Sequence, residues 1–155
     1  SSNNDIKILT KEIERLQFIS HRNITKSRQH FLKLSLPYTY RNLIDNDISH
    51  DYTMGYSGQS GFRASICSPF KFYDLDNESA TELTIIPFAA MEATYKYYLN
   101  KEPQQALQDI LDLIKTVKSV KGTFVSVWHN ESLSEKGIWS GWRMVYEEML
   151  KEVTN

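Results

Sequence analysis

At 155 residues, with 41% hydrophobic and 24% charged side chains, the chain has the composition of one globular domain over 1–155, able to bury a sizeable core. A net charge of −1 with no run of five like charges argues against a global pull on nucleic acid or an anionic membrane, and no apolar stretch has the length of a transmembrane helix. A single cysteine, Cys67, excludes an internal disulfide and a cysteine-based zinc site.

The N-terminus, Ser1-Ser2-Asn3-Asn4, reads as neither a signal nor a transit peptide and lacks a starting Met, which fits a cut or processed start. The default location without a signal is the cytoplasm. Ile6, Leu9, Ile13 and Leu16 share one face of a 3.6-residue period, which predicts a helix capped by Asn4 or Asp5. His21-Arg22-Asn23 is a polar connector. Residues 24–31 form a short strand candidate ending in Ser27-Arg28-Gln29-His30-Phe31. Pro37 suits the first turn of a second helix, with Tyr40, Leu43 and Ile44 as its apolar face.

Residues 51–56 read as a strand running into a glycine-rich loop over 55–61, and Pro69 opens a polar loop to Thr81. The run 83–86 is β-branched and ends at Pro87. Helices are predicted over 88–99 and 103–120, the second with Ala106, Ile110, Leu113, Ile114 and Val117 on one stripe. Gly122 stands where a C-terminal glycine would stop that helix. Residues 123–128 are the clearest strand. Residues 139–153 read as a closing helix with Trp142, Val145, Met149 and Val153 inward. Strands alternating with helices of ten or more residues predict an α/β fold with parallel strands. The sequence carries no internal repeat, GxGxxG or P-loop, so a nucleotide site has no motif support.

In α/β folds ligands gather at the C-terminal ends of parallel strands. The strand 123–128 delivers Trp128-His129-Asn130-Glu131-Ser132. An imidazole on a rigid strand end suits acid–base work, with Asn130 and Glu131 placed to orient it. The plainer reading is a histidine satisfied by loop backbone. After the first strand, Arg28 suits a bidentate grip on a carboxylate, and His30 is a ligand, an acid–base group or a packed ring. Asp51 and Arg63 read equally as a catalytic carboxylate with its arginine or as a salt bridge fixing the loop. Gly55, Gly58 and Gly61 suggest positive φ or close backbone approach. His21 and His50 sit in polar connectors. No base flanks Cys67, which reads as packing. Aromatics make up 12% of the chain. Most such rings are core, though rings also serve as sugar platforms.

Taken in order, four runs resemble bacterial polysaccharide deacetylases of the NodB-homology, carbohydrate-esterase type. They are Ser27-Arg28-Gln29-His30-Phe31, Asp51-Tyr52-Thr53-Met54-Gly55-Tyr56, Gly61-Phe62-Arg63-Ala64 with Pro69-Phe70, and Val127-Trp128-His129-Asn130-Glu131-Ser132. The resemblance covers the C-terminal half of that domain. It implies a partial, distorted (β/α) barrel and a hydrolase that removes acetyl groups from a carbohydrate. In that family a divalent metal, usually zinc, is held by an Asp and two His, polarises the acetyl carbonyl and activates water. A further Asp acts as base and a His from a late strand as acid. The late His matches His129. The arginine that tethers the catalytic Asp matches Arg28 or Arg63, with Asp51 as the candidate carboxylate. His30, Trp128, Asn130 and Glu131 are candidate substrate contacts.

Met91-Glu92 stands where the resemblance leads one to expect Met-Asp. The early Asp motif and the His-rich metal motif have no counterpart, so no metal ligand is assignable in this chain. The zinc expected for a complete domain would take its ligands elsewhere, and this stretch alone would have little activity. Half a barrel would also leave sheet edges open, to be covered by a missing N-terminal half or by a second copy in a homo-oligomer. A non-catalytic carbohydrate- or partner-binding module on the same fold is the alternative expectation, and a complete small α/β domain with unrelated chemistry is a third.

Overall fold

The computed structural model describes residues 5–154. They fall into two compact units, one of residues 5–54 with Pro69–Ile86 and the other of Gly55–Ser68 with residues 87–154.

The first unit opens with α1, Ile6–Ser20. Asp5 caps it, its carboxylate accepting from the backbone N–H of Lys7 and of Ile8, which satisfies donors a helix start leaves orphaned. The alternative cap, Asn4, lies outside the described residues. Leu9 and Ile13 face inward. Strand β1 is Lys26–Ser27 alone, shorter than the run 24–31, because the chain then winds into a 3₁₀ turn at His30–Leu32 with Phe31 and Leu32 at positive φ. Helix α2 runs Tyr38–Ile44 and buries Tyr40 and Leu43.

Strands β2 (His50–Asp51), β3 (Phe70–Asp74) and β4 (Ser79–Ile85) complete a sheet of order β1-β2-β4-β3. The β1–β2 and β2–β4 pairings are parallel, as the alternation of strands and helices predicts. The β3–β4 pairing is antiparallel, so the polar loop expected up to Thr81 is instead a hairpin. Its signal was the period-2 alternation of Phe70 and Phe72 with Lys71 and Tyr73. The polarity belongs to the turn. There Asp74 accepts from Arg41 Nε and Nη2, each at 2.6 Å, and from Asn77 Nδ2 at 3.0 Å. Phe72 meets Tyr40 edge-on, with ring centres 5.0 Å apart. β2 stops at Asp51 rather than reaching residue 56 because the Asp51 side chain captures the Thr53 N–H, a local bond that competes with the sheet ladder.

In the second unit, β5 (Ala90–Met91) and β6 (Ser126–Val127) pair in parallel, Ala90 opposite Ser126 and Met91 opposite Val127. The helix expected over 88–99 is therefore wrong in its first part. Phe88, Ala89 and Ala90 are each at most 2% exposed, and a run buried on every side cannot be told from a helix by periodicity. Helical turns begin only at Glu92 and widen into a π-helix, Thr94–Tyr98, with Leu99 N–H donating to Thr94 O. Helices α3 (Pro103–Ser119) and α4 (Trp142–Thr154) follow. The last helix starts three residues later than position 139, since Trp139 closes a separate 3₁₀ turn. Its Val153 is exposed rather than inward. The core joins Ala90, Tyr95, Ile110, Ile114, Trp139 and Trp142 with Val145 and Met149.

Two glycines earn their place by close approach. A β-carbon on Gly55 would enter the ring of Phe88, and one on Gly122 would strike the Cys67 sulfur. Gly122 is not the left-handed residue that ends α3. That residue is Lys121, at φ 53, and the N–H groups of Lys121 and Gly122 donate to Lys118 O and Val117 O in a Schellman closure. Neither sheet closes into a barrel. β1 and β3 end the first, and the second is a single pair. Among the described residues no helix is long and apolar enough to cross a membrane.

Candidate functional site

Because β5 and β6 are parallel and in register, both lead out at the same end, β5 into Glu92 and β6 through Trp128 into His129. Glu92 is 1% exposed. Its Oε1 accepts two hydrogen bonds from one residue, from the backbone N–H of His129 at 2.8 Å and from ring Nδ1 at 2.6 Å. With Glu92 as a carboxylate its oxygen only accepts, which places the ring proton on Nδ1. The other ring nitrogen, Nε2, is left for a ligand on a side chain that is 50% exposed. The second oxygen, Oε2, is buried with no hydrogen-bond partner among the described residues. A carboxylate behind and an open nitrogen in front is the geometry of an oriented acid–base histidine.

The group that orients His129 is thus Glu92 rather than Asn130 or Glu131. Those two are exposed and begin the 3₁₀ turn Asn130–Leu133 beyond the ring. Trp128, expected at substrate, is half-buried and packs edge-on against Tyr146 with centres 5.1 Å apart. The sequence did signal Glu92, as a lone acid directly after the apolar run Phe88-Ala89-Ala90-Met91, but no spacing tied it to a histidine 37 positions later.

The first unit holds a second acidic group. Asp51 is fully buried. Its Oδ1 accepts from Thr53 N–H at 2.9 Å and its Oδ2 from Thr53 Oγ1 at 2.7 Å. Thr53 Oγ1 in turn accepts from the N–H of Gln29 at 2.9 Å. Burial pushes the Asp51 carboxyl up to about 6, against the hydrogen bonds from Thr53 and the charge of Arg28.

Among the described residues Arg28 makes no bidentate carboxylate pair. Its Nε donates to Tyr52 O at 3.2 Å and its guanidinium lies 5.9 Å from the Tyr52 ring centre. Partial desolvation lowers its pKa, with Asp51 opposing. His30 is exposed and stands against Phe31, ring centres 4.1 Å apart. Arg28 and His30 line an open cleft of about 410 Å³ beside α1. Arg63 is exposed and, within its own unit, enters no ion pair among the described residues. Of the glycines in that loop, Gly61 has positive φ and Gly55 has the close approach, while Gly58 has neither.

No protein-family model, curated protein or solved structure matches this chain. Among the described residues no three His, Cys, Asp or Glu side chains come together as a metal site would require.

Proposed function

We propose that this chain supplies the proton-handling part of a carbohydrate deacetylase, on a partial, distorted (β/α) barrel of the polysaccharide-deacetylase type. The observation that carries the reading is the Glu92–His129 pair. A buried carboxylate fixes Nδ1 and leaves Nε2 on a half-exposed ring, as a general acid needs. Two further features support it: the parallel pairing of β1, β2 and β4 and of β5 with β6, and a site at the strand ends, where such folds place their chemistry.

In this reading His129, as the imidazolium, donates the Nε2 proton to the leaving amine or alcohol as the tetrahedral intermediate collapses to acetate. Glu92 holds the ring in place throughout. The donor set of the described residues does not fit a resident zinc ion.

The test is titration with N-acetylglucosamine oligomers and with O-acetylated oligosaccharides, reading acetate release and the His129 ring resonances together. The reading expects acetylated sugars to move the Nε2 resonance, and any acetate release to fall on the order of 100-fold or more in His129→Ala. Sugar binding that leaves His129 undisturbed, without acetate, would instead mean a non-catalytic carbohydrate-binding module.

A further inference from the structure

The backbone of His129 is held on both sides. Ahead of it, Glu92 Oε1 takes its N–H. Behind it, the carbonyl oxygen accepts twice from Ser132, from Oγ at 2.6 Å and from the backbone N–H at 3.1 Å. Ser132 is completely buried, whereas its neighbours Asn130 and Glu131 are exposed. A serine hydroxyl sealed from solvent must find a partner inside, and here it finds the carbonyl of the residue with the open imidazole. A fully buried hydroxyl is costly unless that bond is made. Without the hydroxyl, the His129 carbonyl would be held only by the weak i→i+3 bond of the 3₁₀ turn.

We infer that Ser132 is a positioning residue for His129. Its hydroxyl locks the His129 carbonyl, which fixes the backbone from which the ring reaches Glu92 and so keeps Nδ1 protonated and Nε2 open. The inference rests on the acid–base reading of His129 given above. Ser132 does not itself touch substrate. Its effect passes through the ring's orientation, in the way that outer-layer hydrogen bonds tune a working histidine.

The experiment is two-bond ¹H–¹⁵N correlation of the histidine rings at neutral pH in this chain, in Ser132→Ala and in Ser132→Cys, beside the thermal unfolding of each. The parent should show His129 as a single Nδ1–H tautomer. Ser132→Ala should show both tautomers averaging, with the amide spectrum outside 127–134 unchanged. Ser132→Cys fills the same space with a weak donor and should fall between the two, which keeps the test valid if the alanine variant unfolds. In a preparation that releases acetate, kcat should drop on the order of tenfold in Ser132→Ala with KM unmoved. A parent ring held in one tautomer and unchanged in both variants overturns the role of Ser132 alone. A parent ring that already averages both tautomers overturns the Glu92–His129 reading, and the positioning role with it.

Discussion

Gly122 and Cys67 are packed so closely that residue 122 has no room for a side chain. A β-carbon there would overlap the thiol sulfur and press on a methyl of Val117. The thiol is half-buried and the Thr123 N–H donates to Cys67 O, so neither strand of chain can simply move away. Gly122→Ala should therefore lower unfolding stability by about 1–3 kcal/mol, the usual range for overpacking. Cys67→Ala should recover part of that loss in the double variant, because it removes the atom that is struck. A denaturant-based double-mutant cycle measures the coupling. Additive losses would mean that the glycine is needed for its backbone rather than for space.

Glu92 is buried and holds His129 by two bonds through one oxygen. Glu92→Gln preserves the volume and one acceptor, but places two amide hydrogens where one oxygen had none. The ring should then lose its fixed tautomer while the fold survives. Where acetate release is measurable, kcat should fall by roughly 10- to 100-fold. Glu92→Ala should be worse for stability, since it leaves the His129 N–H without its partner. Equal ring spectra in the parent and Glu92→Gln would remove Glu92 from any acid–base role.

The sequence made the long amphipathic helices legible, because Leu9 and Ile13, or Ile110, Ile114 and Val117, repeat with the helical period and are buried on one side. It also placed His129 at a strand end. The short segments were another matter. Ala90 ends a run, Phe88-Ala89-Ala90, buried on every side, where period carries no signal and the sequence alone reads as helix. The 70–85 hairpin was hidden by a turn rich in Asp and Asn, although Phe70 and Phe72 alternated in plain view. The partner of His129 lies 37 residues away, just past the end of another strand, and only the pairing of β5 with β6 brings the two together. Arg28 looked suited to a carboxylate, yet the arginine that grips one in two bonds is Arg41, on Asp74. Guanidinium chemistry predicts the bond, and topology chooses the partner.

The Arg41–Asp74 pair has a pH signature. Hydrogen bonds from Arg41, then from Asn77, hold the Asp74 carboxyl down at about 2, below the ordinary value of about 3.9. A carboxylate depressed in the folded state adds stability that is complete above about pH 4 and is lost as pH falls toward 2. Arg41→Lys keeps the charge but cannot make the fork of two bonds, so it should move the acid-unfolding midpoint upward. Urea unfolding followed from pH 2 to pH 5 gives the comparison. Identical acid limbs in the two proteins would show that the pair does not control acid stability.

Asp51 acts in the opposite direction. Burial raises its carboxyl to about 6 in the folded chain, while an unfolded aspartate stays at about 3.9. Between these values the folded state holds a proton that the unfolded state has released, so stability falls as pH rises from about 4 to about 6. The integrated loss is on the order of 3 kcal/mol. Below that window both states are protonated, and above it neither is. Asp51→Asn removes the titration, and its amide oxygen can still accept from the Thr53 N–H, so the downward slope between pH 4 and 6 should flatten. Set beside Asp74, this predicts a stability maximum near pH 4 that moves toward neutral pH in Asp51→Asn. If instead the variant keeps the parent's slope through that window, Asp51 is not the group being titrated, and its folded carboxyl lies near the unfolded value of about 3.9.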